Sequence, residues 1–508
     1  MNTTSNTIMI QGTSSDVGKS LINTALCRIL ARDNKKVAPF KSWNMSLNSY
    51  VTPAGGEIGI AQVFQAQAAM TKATVDMQPI LVKPKGDGLS QVIVRGKPIA
   101  DLDYRTQDKD YIKKAMKVIN KSLNNLQHEY DFIIMEGAGS PAEINRKNRD
   151  LANMKVARLN KTPVLMVANI DKGGVFASIV GTLDLLEPDE RELIKGIIIN
   201  KFRGDYNVLK PGIDLLEEYI DKPVLGVIPY LEDIQLPKED SASLKDDLKL
   251  VKEKDLNIGI IRLPHISNFT DFRSLEYEPD VNLTYIRKPE ELKDIDLVII
   301  PGTKSTTQDL KYIKSNKIAE KIKTMAARGK YIIGICGGYQ MMGKSLIDEY
   351  QTEGKIKKIE GLAVLSVETS FLPDKKTHQV KARIYDENKL FPKNEIIKGY
   401  EIHMGESKYL NTASPFFNIL ERSGKKVQIK DGAINDTGNC FGTYLHGLFN
   451  NDRFRRELLN KLRVNKGLKR LTNNSTSYHR KIELELDKLA DTIRKNIDMK
   501  YIYSLLNI

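Results

Sequence analysis

An apolar run from Thr7 to Gln11 leads straight into Gly12-Thr13-Ser14-Ser15-Asp16-Val17-Gly18-Lys19-Ser20, and helical sequence follows from Lys19 to about Arg32. A glycine loop between a strand and a helix is the context of a phosphate loop. Backbone N–H groups of Gly12, Thr13, Asp16, Val17 and Gly18 are expected to cradle phosphate, Lys19 to neutralise it, and Ser20 to bind Mg²⁺. The gap from Gly12 to Gly18 is one residue longer than in the usual loop. Further apolar strands are expected at Lys36–Lys41, Asp131–Met135, Val164–Ile170, Gly196–Asn200 and Val224–Pro229. Continuous Val/Ile runs separated by helical stretches predict an α/β domain, a doubly wound and mainly parallel sheet covered on both faces.

The strand at Asp131–Met135 ends in Glu136 and a glycine turn, where an acid can meet the metal of a phosphate loop. Lys41, at the end of the second strand, is a candidate partner for a phosphate or a substrate carboxylate. Glu57, in the Gly55-Gly56-Glu57 turn, is a third candidate acid for Mg²⁺.

The second half carries different chemistry. Tyr331-Ile332-Ile333 runs into Gly334-Ile335-Cys336-Gly337-Gly338-Tyr339-Gln340, the cysteine form of a nucleophile elbow. Glycines flank the nucleophile because the turn is sharp and backbone must pass close by. Gly442-Thr443-Tyr444-Leu445-His446-Gly447 is a strand-like run ending in a histidine, the base such a thiol needs. One polypeptide thus joins a Cys/His acyl-transfer site to an ATP site. Strands are expected at Asn257–Leu263, Leu297–Pro301, Tyr331–Ile335 and Gly361–Val367. The domain boundaries read as 1–235, a charged linker at 236–255, 256–452, and a helical C-terminal segment at 453–508. In that last segment Ile482, Leu486, Leu489, Ile493 and Ile497 form one apolar helix face, a docking or closing element.

Composition narrows the setting. In 508 residues, 41% hydrophobic and 28% charged, nothing is long and apolar enough to span a bilayer. Three cysteines are too few for a disulfide framework and suit a reducing cytoplasm. The N-terminus lacks the basic and apolar regions of a signal peptide. The net charge of +14 is read as a Lys-rich solvated surface, since no aromatic residues interleave with basic ones as nucleic-acid binding requires. His265 and His403 lack metal-ligand spacing, and Cys440 reads as structural.

These motifs resemble a known family. The phosphate loop and the Glu136-Gly-Ala-Gly turn are similar to the dethiobiotin synthetase group of P-loop ligases. Asn44-Met45-Ser46-Leu47-Asn48-Ser49, Lys83–Gln91, Asp171-Lys172-Gly173-Gly174-Val175-Phe176 and Asn200-Lys201-Phe202-Arg203-Gly204-Asp205 resemble stretches of the cobyric acid synthases. So do Leu263–Phe272, Pro301-Gly302-Thr303-Lys304-Ser305-Thr306 and Gly399-Tyr400-Glu401-Ile402-His403-Met404-Gly405. The resemblance covers about residues 8–450. Trp43 and Arg273 depart from the family pattern.

It implies a flavodoxin-like class I glutamine amidotransferase domain behind the ligase domain, with ATP, Mg²⁺, glutamine and a corrinoid polycarboxylate as cofactors and substrates. Cys336 and His446 would be catalytic, with Gly302, Gly337, Gly338 and Gln340 around the oxyanion and the glutamine. Many class I amidotransferases carry a glutamate two residues after the histidine. Leu448 stands there, and Glu401, Glu406, a carbonyl or water are open as what orients His446. The alternatives are the sister a,c-diamide synthase, a P-loop ATPase switch, and a scaffold with an inactive amidotransferase domain.

Overall fold

A computed structural model describes residues 6–508 apart from 87–88, 104–108, 233, 235, 237–253, 386–390, 392–394, 411–412 and 473–476. Most of the expected linker at 236–255 lies outside the described residues.

The first sheet has six parallel strands in the order Val224–Pro229, Ile194–Phe202, Val164–Asn169, Asn6–Gly12, Phe132–Glu136, Val37–Phe40. Its central strands are buried on both faces, which is why they read as unbroken apolar runs. Asn6–Gly12 lies between Phe132–Glu136 and Val164–Asn169, so Gly12 and Glu136 emerge together at the carboxyl edge. That edge is where open α/β sheets bind ligands. A side sheet, Trp43–Met45, Ile80–Gly86, Leu89–Val94 and Lys97–Asp103, was not expected from the sequence.

The second unit has five parallel strands, Val281–Ile286, Leu256–Ile261, Leu297–Ile300, Tyr331–Ile335 and Cys440–Thr443, with Ala433–Ile434 antiparallel at the edge. The strand expected at Gly361–Val367 is displaced: residues 361–366 are irregular, and Val367 instead opens the long strand Val367–Ile384. This strand pairs with Ile396–Tyr409 in an antiparallel arm. The arm's register shifts between Phe371 and Lys376.

The C-terminal residues divide. Helix Asp452–Asn465 stays on the second unit, where Arg455 meets Glu278 at 2.6 Å and Arg456 meets Asp280 at 2.9 Å. Helix Tyr478–Asn496 returns to the first unit and packs on helix Lys19–Arg32. Ile482, Leu486, Leu489 and Ile493 are buried there, and Ile497 bridges to Gly226 on the edge strand. Arg28 reaches Glu483 and Asp487, both at 2.8 Å.

Candidate active site

The elbow is built as its glycines require. Cys336 sits at φ 51°, a left-handed conformation that costs a non-glycine residue about 1–3 kcal/mol. A Cβ at Gly338 would fall 1.9 Å from the Ile300 carbonyl oxygen, so only glycine lets the turn pass the neighbouring strand. Cys336 N–H donates to Thr443 O at 2.8 Å, and its Sγ lies 3.4 Å from Ile402 O.

His446 sits on the short strand Leu445–His446, which pairs with Tyr400 and Glu401 of the antiparallel arm. Its Nδ1 is 2.7 Å from Asp271 Oδ2, and Gly447 N–H donates to Asp271 Oδ1 at 2.8 Å. Both carboxylate oxygens are therefore committed, and the imidazole is fixed in orientation. Burial alone would pull the His446 pKa down. The Asp271 charge and hydrogen bond, with a further contribution from Cys336, carry it up to about 10.

The residue that orients His446 is thus Asp271, which sequence reasoning missed. Glu401 instead serves His403 Nε2 at 3.4 Å and Arg422, and Glu406 pairs with Lys376. Leu448 is a core residue. Asp271 stands in a segment matched to the family, but nothing local assigns it a role. His403 stacks on Tyr444, His265 pairs with Asp309 at 2.7 Å, and burial pushes the Cys440 thiol up to about 12.

Around the thiol, the cavity is lined by Cys336, His446, Gln340, Lys304 and Glu353, together with Lys83 of the first unit. Gly302 O accepts from Ser267 N–H at 2.9 Å, and a Cβ on Gly302 would lie 3.1 Å from His446 Cε1. Gly337 and Gly338 are buried at the start of the helix behind the thiol. Gln340 hydrogen-bonds Thr306 and Tyr444.

At the phosphate loop, Thr13 N–H donates to Val167 O at 3.0 Å. Asn200 braces the loop through Val17 O at 2.7 Å, and Lys201 through Asp16 O at 2.6 Å. Gly18 has φ 106°, and a Cβ there would strike Asn200. Lys19 Nζ bridges the carbonyls of Ser14 and Gly139 at 2.8 and 2.9 Å. Ser20 Oγ donates to Glu136 Oε1 at 2.7 Å, Lys41 Nζ lies 2.9 Å from the same oxygen, and Gln65 donates to Oε2 at 2.6 Å. Burial alone would raise the Glu136 pKa, but Lys41 and these hydrogen bonds hold it below the usual range. A hydroxyl beside a buried carboxylate is a hard-oxygen donor set that fits Mg²⁺.

Glu57 is not brought to this group. It is buried between the units, bonded to Ser49 and Lys83 at 2.8 Å each and paired with Lys375. The register shift in the arm frees Lys375 for this contact. Beside it Ser49 N–H donates to Asn268 Oδ1 and Phe269 N–H to Asn48 Oδ1, both at 3.1 Å, and Tyr50 packs on Tyr400.

Residues 8–244 match the CobQ/CobB/MinD/ParA nucleotide binding domain, and residues 257–454 match the CobB/CobQ-like glutamine amidotransferase domain. A nucleotide-binding unit coupled to a Cys–His–Asp amidotransferase defines a glutamine-hydrolysing amidoligase. A cobyric acid synthase of Desulforamulus reducens is 47% identical over 504 residues, 99% of this chain and 98% of its own length. One from Thermoanaerobacter sp. is 47% identical over 502 residues, 98% of both chains, and one from Dehalococcoides mccartyi is 45% identical over 512, 100% of this chain and 99% of its own. The chain belongs to the cobyric acid synthase family. Among the described residues no helix is long and apolar enough to cross a membrane.

Proposed function

We propose that the protein amidates the b, d, e and g side-chain carboxylates of adenosylcobyrinic acid a,c-diamide in the cytoplasm, using ATP and ammonia taken from glutamine. The observation that carries this reading is the cavity at Cys336, walled on one side by Lys83 of the nucleotide-binding unit. Two catalytic units that share a wall suit the transfer of a reactive small molecule.

In the amidotransferase unit His446 already holds the proton shared with Cys336 when the sulfur attacks the glutamine amide, and Asp271 orients the ring and stabilises its charge. The backbone N–H of Gly337 and one from the Gly302 loop receive the developing oxyanion, and Gln340 contributes to the glutamine pocket. His446 then protonates the departing ammonia, leaving a γ-glutamyl thioester for water to cleave. In the ligase unit the substrate carboxylate attacks the terminal phosphorus of ATP and expels ADP, and ammonia then attacks the carbonyl of the resulting acyl phosphate, releasing inorganic phosphate and leaving the amide. Gly12, Asp16, Val17, Gly18 and Lys19 hold the phosphates, Thr13 ties the loop to the sheet because its N–H is given to Val167 O, and Lys41 stands beside the reacting carboxylate. Ser20 and Glu136 would hold Mg²⁺, which supplies positive charge against the phosphates. Glu57 serves the contact between the units and not the ion.

The test is mass spectrometry of adenosylcobyrinic acid a,c-diamide after incubation with enzyme, ATP, Mg²⁺ and glutamine. Four carboxyl-to-amide conversions are expected. Unchanged substrate alongside glutamine hydrolysis would overturn the substrate assignment.

A further inference from the structure

We infer that Lys304 and Glu353 form a clamp for the two charged groups of the nitrogen donor, Lys304 taking the α-carboxylate of glutamine and Glu353 its α-ammonium. The inference rests on the glutaminase reading of Cys336 and extends it to how the donor is recognised.

Both side chains line the cavity that holds the thiol, and each is only 8% exposed. Lys304 forms neither a side-chain hydrogen bond nor an ion pair among the described residues. A buried ammonium without an anion is costly, and it persists where a ligand supplies the anion. The other two ammonium groups on the cavity wall, Lys83 and Lys375, are both engaged by Glu57. Lys304, by contrast, has no carboxylate within ion-pair distance among the described residues, and the acid whose charge acts on it most is Glu353 on the same wall. Its backbone is fixed, since Lys304 N–H donates to His265 O at 3.1 Å and the adjacent Thr303 Oγ1 bonds the same oxygen at 3.0 Å.

Glu353 is held just as firmly. Its Oε2 accepts from Thr306 N–H at 2.9 Å and Thr306 Oγ1 at 3.0 Å, and Oε1 takes no hydrogen bond among the described residues. Its own N–H is tied to Asp348 at 2.9 Å. One carboxylate oxygen therefore orients the group and the other is left for a donor. A zwitterionic head needs one fixed cation and one fixed anion on a shared wall, with the amide reaching the nucleophile. The cavity provides this set.

The test compares wild type, Lys304→Met and Glu353→Gln on glutamine, on 4-aminobutanamide (no α-carboxylate) and on 4-carbamoylbutanoate (no α-amine), reading ammonia release. For Lys304→Met, kcat/KM on glutamine is expected to fall on the order of 30-fold or more, with little change on 4-aminobutanamide. For Glu353→Gln the same loss is expected on glutamine but not on 4-carbamoylbutanoate. Lys304→Arg should recover part of the loss. Amidation driven by added ammonia, which bypasses the cavity, reports that each variant is folded. If Lys304→Met does not fold, Lys304→Gln carries the same comparison. If both variants keep the wild-type ratio of glutamine to analogue, the clamp is wrong while the glutaminase reading stands. If wild type releases no ammonia from glutamine, the glutaminase reading falls and the clamp with it.

Discussion

Asp271 and His446 are 175 positions apart in the chain and 2.7 Å apart in the fold, joined through Asp271 Oδ2 and the imidazole Nδ1. Asp271→Asn is expected to lower glutamine hydrolysis on the order of 10²–10⁴-fold while sparing ammonia-driven amidation. It should also move the His446 titration down from about 10, read by NMR of labelled histidine. The sign of the stability effect follows. A raised folded-state pKa gives stability that is complete below about 6.5 and is lost as pH rises towards 10. The variant should therefore lose less stability than wild type over that alkaline window.

Cys336→Ala should abolish glutamine-dependent synthesis and leave synthesis from added ammonia. Paired assays of product formation with each nitrogen source check this. Loss of both activities in a folded variant would count against separate sites.

Leu448 occupies the position where many class I amidotransferases carry an acid, but here it is 1% exposed in the core. Leu448→Glu would bury a charge without a partner, while Asp271 already orients the histidine. Denaturant unfolding should show a loss on the order of 3 kcal/mol, with no gain in glutaminase rate.

Lys41→Met would leave the buried Glu136 carboxylate with only Ser20 and Gln65 against it. Its pKa should rise, and amidation from either nitrogen source should fall on the order of 10²–10³-fold. Lys19→Ala should do the same by removing the ammonium at the phosphate loop. Glutamine hydrolysis measured on its own should survive in both.

Glu57→Gln removes the anion that two buried lysines share across the contact between the units. Breaking such a pair costs about 3–5 kcal/mol. The expected outcome is a lower unfolding midpoint and more than one glutamine hydrolysed per amide formed. Burial opposes the Glu57 charge, yet Lys375 and Lys83 hold its carboxyl well below the usual range. Its stabilisation is therefore present at neutral pH and lost on strong acidification.

Chemistry confined to one stretch of chain was legible. The phosphate loop, the Cys336 elbow and the strand-end His446 each bring their own glycines and context within a few residues. Asp271 was not legible, because its role exists only once a loop after one strand folds against the end of another. The antiparallel arm was missed because Val367–Ile384 carries Lys, His and Gln on its partly open face and lacks the continuous apolar run of a buried strand. The spacing of Ile482, Leu486, Leu489, Ile493 and Ile497 marks one apolar helix face, a docking or closing element, but spacing cannot say which unit it packs on. Glu57 was offered to the metal because an acid in a glycine turn gives no sign of two lysines arriving from elsewhere, one of them over 300 residues on.

Helix Tyr478–Asn496 has a topological consequence. With this helix seated on Lys19–Arg32, the amidotransferase unit is a guest spliced into its host, leaving through one strand of chain and coming back through another. Two covalent tethers permit far less rotation than one hinge. Severing the chain between residues 235 and 256 would not yield two self-sufficient halves, because the first fragment would lack the helix that covers Leu26, Ile29 and Leu30, and the second would carry that helix as a bare greasy tail.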